Sequence, residues 1–394
     1  MTKLNKLSSV PLSPVTPLID VSTQSPQSTK LSTTNLKLNK FLSTLPTLST
    51  FSTVNFGCRV NAAETNLISQ YFLNLGLTPA ALNPDLIFVN TCAITQKGEY
   101  ESLSRLRRLR ALHPNAFIIS SGCAGADTTA GASPTQHLHT NDPDPNLLHL
   151  TNLEKEDLLD ALHASYTPHV GDKFSRSHRF LLKVQSGCRH HCSYCIVPTR
   201  RPYSRFLPIS EALHTANTAH QAGYTELILT GVNLLEYTPG FSTLLESLLT
   251  HTQIPLFSFG SVALNCLDDK FLGLYERFPT RLSLFLHVPL QSGSDRILKL
   301  MGRPYTQKHI LETLTKYNSS VVNISFGTDI IVGFPSETEQ DFQDTLTVCQ
   351  KINFKKIHTF RFSPRPGTKA ALLWRQSPVP PSVVNARSRL IRNL

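Results

Sequence analysis

The chain has 394 residues, 40% of them hydrophobic and 16% charged, long enough for two domains with separate cores. Its 38 Lys and Arg against 27 Asp and Glu give a net charge of +11, which favours a polyanionic partner. No apolar run approaches the roughly 20 residues of a transmembrane helix, and eight cysteines are too sparse for a disulfide scaffold. The close spacing of three cysteines in one loop points instead to metal binding in a reducing cytosol, so the expected location is cytoplasmic, without a membrane partner.

Residues 1–50 carry Ser, Thr, Leu, Lys, Asn and Pro with a single acid, Asp20. Pro11, Pro14, Pro17, Pro26 and Pro46 interrupt any helical or strand period. Such a stretch buries too little apolar surface to offset its ordering entropy, and it reads as a disordered, low-complexity leader. It lacks the continuous apolar core of a secretory signal and the amphipathic period of an organellar one.

Residues 51–165 read as a first domain. Three times there, a short apolar strand leads directly to a cysteine: Phe51–Gly57 to Cys58, Leu86–Thr91 to Cys92, and Phe117–Gly122 to Cys123. Helical patterns, 62–75 and 97–112, fall between them. Strands alternating with helices imply a Rossmann-like parallel α/β sheet whose carboxyl ends open on one side. Three cysteines just past such ends converge where open α/β sheets bind ligands. Any one of them read alone is a buried apolar cysteine. In the second helix Leu103, Leu106 and Leu109 give the buried stripe, while Arg105, Arg107, Arg108 and Arg110 form either a solvated face or a phosphate-facing patch. Residues 126–175, rich in Thr, His, Pro and Asp, contain one helix, 153–162, and read as the end of this domain followed by a linker.

From 174 to 376 the alternation resumes. Strands are predicted at 180–185, 226–230, 256–260, 283–288, 323–332 and 356–362. Helices are predicted at 209–222, 267–277, 307–317 and 337–351. Six β/α units fall short of the eight that close a full barrel, so the second domain is expected to be a partial (β/α)6 barrel, open on one side. A basic tail, 377–394, follows.

The first barrel strand ends in Gly187–Arg205, where Cys188, Cys192 and Cys195 stand in a C-x3-C-x2-C loop. Three thiolates hold three irons of a 4Fe-4S cubane, and without a fourth cysteine one iron stays open to a substrate. The alternatives are three unrelated buried thiols or a zinc site using His190 or His191, although a histidine beside Cys192 reaches the same tetrahedron only with strain. The spacing resembles the signature of radical S-adenosylmethionine enzymes.

Other motifs narrow the resemblance. Gly57-Cys58-Arg59-Val60-Asn61, Asn90-Thr91-Cys92-Ala93-Ile94-Thr95 and Gly122-Cys123 resemble the cluster motifs of the radical SAM methylthiotransferases. His287 to Ser294, Thr328 to Pro335 with Glu337-Thr338-Glu339, and Pro366-Gly367-Thr368 extend the match over about residues 51–375. The first two motifs are most similar to the branch acting on N6-threonylcarbamoyladenosine at position 37 of tRNA.

The resemblance implies a transferase with two 4Fe-4S clusters. Cys188, Cys192 and Cys195 would hold the one that cleaves S-adenosylmethionine to a radical, which takes hydrogen from C2 of the adenine. Cys58, Cys92 and Cys123 would hold an auxiliary cluster offering sulfur, with the methyl group from a second S-adenosylmethionine. Expected S-adenosylmethionine contacts are Tyr194 in the loop, Thr230, Gly231 and Asn233 after the second strand, Gln291 and Ser292 after the fourth, and Arg205 as a carboxylate fork; a capping or loop role stands beside each polar rim residue. Implied partners are the tRNA anticodon loop, an electron donor such as flavodoxin or ferredoxin, and a sulfur donor. The same motifs leave other targets open: isopentenyl-adenosine in tRNA, a ribosomal protein, or a cluster-bearing redox or binding protein without transfer. Cys266 and Cys349 match no motif and read as structural.

Two features depart from the family pattern. Arg201-Pro202 replaces the usual Arg-Gly, forbidding positive φ and removing a backbone donor. The chain also stops at Leu394 after a short basic helix, where the family continues into a small basic β-barrel. RNA contact is then expected on the barrel rim, the arginine helix and the leader.

Overall fold

A computed structural model describes residues 41–124, 144–165 and 177–394, with the backbone of Ile19–Asp20. The remainder of the expected leader, and most of the expected linker at 126–175, lie outside the described residues.

The N-terminal sheet is built from β2 (Thr50–Asn55), β3 (Thr78–Pro79), β4 (Leu86–Thr91), β5 (Phe117–Gly122) and β6 (Leu147–His149), following β1 (Ile19–Asp20), which belongs to the barrel. Its order is β3-β2-β4-β5-β6, all parallel. Every residue of β4 is buried, as a central parallel strand covered on both faces requires. The period-two alternation of side chains divides it between two cores. Leu86 and Phe88 pack with Phe51, Phe72, Ile119 and Leu158, whereas Ile87 and Val89 pack with Leu106, Leu109 and Ile118. Truncating Phe88 to Ala opens a cavity at a cost of about 3–5 kcal/mol.

The crossover helices are α1 (Arg59–Asn74), α2 (Gln96–Leu112) and α3 (Asn152–Ser165). Thr95 caps α2 by accepting from the Gly98 amide, which fixes its start one turn beyond Cys92. The leucine stripe of α2 is buried as expected, and Arg105, Arg107 and Arg108 face solvent. Arg110 does not join them: it pairs with Asp144 at 2.8 Å and donates to the carbonyls of Ala116 and Asn146.

The barrel runs through β7 (Arg179–Gly187), β8 (Ser204–Phe206), β9 (Glu226–Gly231), β10 (Leu256–Phe259), β11 (Phe285–His287), β12 (Ser325–Val332) and β13 (Lys356–Arg361). Strands β7, β9 and β10 are parallel neighbours, as are β11, β12 and β13. Single parallel bridges, Phe257 to Leu282 and Ser261 to His287, join the two groups into the six-stranded partial barrel that the sequence predicts. Around it lie α4 (Val197–Arg200), α5 (Ile209–Gln221), α6 (Phe241–His251), α7 (Asp269–Arg277), α8 (Asp295–Met301), α9 (Gln307–Ser320), α10 (Glu339–Ile352), α11 (Lys369–Gln376) and α12 (Pro381–Arg392). Two helices start later than their apolar pattern suggests because a capping residue intervenes. Asp268 accepts from the Phe271 amide, and Thr338 forms a reciprocal capping box with Asp341.

Two expected boundaries are corrected. Order does not wait for residue 51: Phe41 and Leu45 are buried in the N-terminal core, and the Phe41 ring stacks on Phe117 at 5.5 Å. Ile19–Asp20 pairs antiparallel with β8, extending the barrel's edge. The basic tail, 377–394, is helical as expected but is also part of the barrel. Ile391 is buried in the barrel core, and Arg387 reaches the Glu337 carboxylate at 2.8 Å. Single apolar residues in a polar, proline-rich context carry no periodic signal, so neither anchor shows in the sequence.

Candidate functional site

The loop after β7 is held by the barrel on both sides. Cys188 N donates to Arg201 O, Ser193 N to Met301 O, and Ala370 N to Ser193 O. These bonds aim three thiols into a cleft of about 160 Å3 lined by Cys188, Cys192, Cys195, Tyr194, Asn233 and Arg303. Each sulfur has an N–H nearby. Asn233 Nδ2 lies 3.7 Å from Cys188 Sγ, Arg303 Nη1 3.5 Å from Cys192 Sγ, and Val197 N 3.4 Å from Cys195 Sγ. Burial pushes the Cys188 thiol up to about 12 and the Cys195 thiol up to about 11. Bare, these two thiols are therefore protonated at neutral pH, and a bound metal must displace their protons.

The second triad assembles at the carboxyl ends of β2, β4 and β5. Cys58 stands at the N-cap position of α1 without a side-chain capping bond, Cys92 N donates to Ser102 Oγ at 3.1 Å, and Cys123 N donates to Thr91 O at 3.0 Å. Gly57 has φ +93, and a Cβ there would stand 2.8 Å from Cys92 Sγ, so only glycine lets the first strand end approach the second thiol. Cys58 and Cys92 both lie within electrostatic reach of Cys123. Burial is the main force that raises Cys92 to about 11; Cys123 and Cys58 add to it, while the Ile94 amide and the Arg365 charge oppose it. Cys58 is solvent-exposed, whereas Cys92 and Cys123 are buried. Three soft donors from one sheet edge, with a glycine cradle between them, fit a cubane cluster with one iron open.

The triads face each other. Asn152 Nδ2 lies 3.8 Å from Cys123 Sγ and donates to Arg200 O, just past the first cysteine loop, and Cys195 lies within electrostatic reach of Cys123. Behind them runs a buried ionic network that ties the two sheets together. Arg201 grips Glu64 of α1 in a bidentate fork, Nη1 to Oε1 at 2.7 Å and Nη2 to Oε2 at 3.0 Å, and also reaches Asn61 Oδ1 at 3.1 Å. Lys155 lies 2.6 Å from the same carboxylate; Lys183 bridges it to Glu156 at 3.2 and 2.9 Å. Burial alone would raise the Glu64 carboxyl, but Arg201, Lys155 and Lys183 outweigh it and hold Glu64 well below the usual range. Three cations against two carboxylates leave one positive charge, placed beside two sets of thiols that become anionic on binding iron.

Of the expected S-adenosylmethionine contacts, Tyr194 and Asn233 line the cleft. The other five stand elsewhere. Thr230 is buried against Gly260, and Gly231 packs on the Leu234 side chain. Gln291, with φ 76, donates its amide to Asp329 O, and Ser292 faces Thr345 Oγ1 at 3.2 Å. Arg205 turns toward Asp160 at 3.6 Å and lies over the Tyr203 ring. Cys266 and Cys349 are buried in the barrel core.

Residues that sequence reasoning missed are Glu64, Lys155, Glu156, Arg201 as an ion-pair partner, Arg303 and Arg365. One signal existed: Glu64 occupies a core-facing position of α1 beside Val60, Ala63 and Ile68, where an unpaired charge would be costly. On three neighbouring strands, His287 Nε2 and His358 Nδ1 both meet Asp329 Oδ1, at 3.0 and 3.2 Å. That carboxylate orients both rings.

Comparison with known proteins agrees with this geometry. The profile of the Radical SAM superfamily matches residues 182–349, and that of Uncharacterized protein family UPF0004 matches residues 50–138. The threonylcarbamoyladenosine tRNA methylthiotransferase MtaB of Chlamydia pneumoniae is 32% identical over 346 residues, covering 86% of this chain and 80% of that one. The Aquifex aeolicus protein of the same name is 30% identical, covering 86% of each. A tRNA-2-methylthio-N(6)-dimethylallyladenosine synthase from Sulfurihydrogenibium sp. is 31% identical over 80% of this chain and 77% of its own. Among solved structures, the radical S-adenosylmethionine methyltransferase TsrM from Kitasatospora setae superposes with a TM-score of 0.56 at 11% identity, over 82% of this chain and 77% of that one, a likeness of fold. With two thiol triads at the ends of two parallel sheets and relatives matching along both, the chain belongs to the radical SAM methylthiotransferase family.

Proposed function

We propose that this enzyme places a methylthio group on C2 of N6-threonylcarbamoyladenosine at position 37 of tRNA. The observation that carries the reading is the convergence of the two triads: Cys188, Cys192 and Cys195 as ligands of one 4Fe-4S cluster, Cys58, Cys92 and Cys123 as ligands of the other. When bound, the clusters and S-adenosylmethionine supply the electron, radical, sulfur and methyl group that no side chain can provide. The chain's own part is placement. Residues 51–165 fix the second triad on a rigid sheet edge, residues 174–376 hold the first on the barrel rim, and the Arg201–Glu64 fork keeps the two in register. Tyr194 and Asn233 are assigned to the S-adenosylmethionine side of the cleft.

The substrate rests on two supports. Gly57 to Asn61 and Asn90 to Thr95 carry the motif of the threonylcarbamoyl branch, and the relatives from Chlamydia pneumoniae and Aquifex aeolicus bear that name. The solvent-facing Arg105, Arg107 and Arg108, with the net charge of +11, suit a polyanion such as an anticodon stem-loop. A flavodoxin- or ferredoxin-like electron donor and a sulfur donor complete the reaction. No helix among the described residues is long and apolar enough to cross a membrane, in keeping with a cytoplasmic tRNA enzyme.

The nearly equal identity of the dimethylallyladenosine relative supports a second reading, the same chemistry on isopentenyl-adenosine. Mass spectrometry of tRNA nucleosides from cells with and without the gene separates them. Loss of the methylthio form of threonylcarbamoyladenosine on deletion establishes the first. Loss of the methylthio isopentenyl form instead overturns it.

A further inference from the structure

The segment after β13 folds back and bonds to residues beside both triads, Ser193 in the first cysteine loop and Gln96 just past Cys92. Ala370 N donates to Ser193 O inside the first cysteine loop. At its other end, Gln96 of α2, four residues past Cys92, donates its amide to Ser363 Oγ and its side chain to Pro364 O. Between these anchors stands Arg365, a barrel residue buried to 2% exposure against the N-terminal sheet. Its Nη2 pairs with Glu99 in the first turn of α2. Its Nε and Nη1 are buried and find no hydrogen-bond partner among the described residues. A buried donor left unsatisfied forfeits its hydration with nothing in return. Two on one guanidinium imply an acceptor that binds there.

The surroundings identify the acceptor. Arg365 lies within electrostatic reach of Cys92, and the neighbouring anionic ligands are the thiols of the second triad. A cubane held by three thiolates carries net negative charge and presents sulfide and thiolate sulfurs as acceptors. Resting on the ligand assignment above, we propose that Arg365 donates through Nε and Nη1 to the sulfur of the cluster on Cys58, Cys92 and Cys123, raising that cluster's reduction potential, with Glu99 as its counter-charge. Donors and positive charge near cluster sulfur stabilise the reduced, more negative state. The barrel thereby sets the electronics of a cluster whose ligands all come from the other sheet.

The test is an EPR-monitored redox titration of full-length, iron-reconstituted protein carrying Cys192→Ala and Cys195→Ala, which leaves the second cluster as the signal. Adding Arg365→Gln is expected to lower its midpoint potential, and Arg365→Lys, which keeps the charge, to lower it less. Glu99→Gln removes the counter-charge and is expected to shift the potential upward, a direction that general loosening of the fold does not produce. An iron-loaded parent whose potential is unmoved by both Arg365→Gln and Glu99→Gln overturns the role of Arg365. Should Arg365→Gln fail to fold, an unmoved Glu99→Gln midpoint suffices to overturn it. A parent that binds no iron overturns the ligand assignment itself, and the inference with it.

Discussion

The two triads solve one chemical problem with opposite constructions. Cys188, Cys192 and Cys195 sit on one short loop, so their mutual distances are set locally, and remote backbone bonds at Met301 and Ala370 only orient the loop. Cys58, Cys92 and Cys123 come from three strand ends whose spacing depends on the register of a parallel sheet, such as Thr91 against Gly122. A fault in the loop therefore stays local. A fault in the sheet, or in the ionic network behind it, displaces a cysteine from far away.

The contrast is broken most severely by removing one cysteine from each triad. Cys192→Ala should abolish both 5′-deoxyadenosine formation and methylthio product. Cys92→Ala should abolish the product while deoxyadenosine formation under dithionite stays measurable, with each variant keeping about half the iron of the intact protein. Loss of deoxyadenosine formation in a folded Cys92→Ala protein would end the division of labour between the triads.

Next in size is the network that joins the sheets. Glu64→Gln leaves Arg201, Lys155 and Lys183 buried with one carboxylate fewer, a loss of about 3–5 kcal/mol in urea unfolding. The folded-state pKa of Glu64 is depressed, so its contribution is present above the unfolded glutamate value of about 4.3 and disappears as pH falls through the folded value. The gap between wild type and Glu64→Gln should accordingly narrow in acid; a gap that is constant from pH 7 to pH 3 would show that shape, not charge, is what Glu64 provides.

Asp160 has the opposite sign. Burial raises it to about 6, against the pull of Arg205. A carboxyl whose folded pKa is raised destabilises the fold as pH climbs from the unfolded value of about 3.9 through 6. Asp160→Asn should gain at most about 1 kcal/mol at pH 8, discounted for its partial exposure, and nothing at pH 4. Thermal melts at the two pH values measure the difference. Smallest of all is the exposed Lys97–Glu101 pair at 3.7 Å on α2, where Lys97→Ala should change stability by less than about 0.5 kcal/mol. A larger loss in the melts would mean that exposed pairs on this face matter as buried ones do.

Much of this was legible beforehand, for physical reasons. Spacing shows the first triad because its geometry is local. Strand-then-cysteine repeats show the second because a parallel sheet puts all carboxyl ends on one side, and the six β/α units appear in the apolar alternation of 180–362. Capping residues moved helix starts by a turn or less. The cofactor contacts were harder to read. Thr230, Gly231, Gln291, Ser292 and Arg205 are all near the rim in sequence, yet their contacts are with Gly260, Leu234, Asp329, Thr345 and Asp160, through the backbone at Gln291 and through side chains at Ser292 and Arg205.

The amino-acid sequence by itself determined the two sheets, the six cysteines that converge and the family, since each follows from periodicity, spacing or a contiguous motif. Tertiary structure alone decided that Phe41 and Ile391 belong to cores, that Arg201 binds Glu64 across 137 residues, and that Arg365 pairs with Glu99 of α2 from the far end of the barrel. A charge's worth depends on what surrounds it after burial, and no local pattern records which distant carboxylate or sulfur will be there.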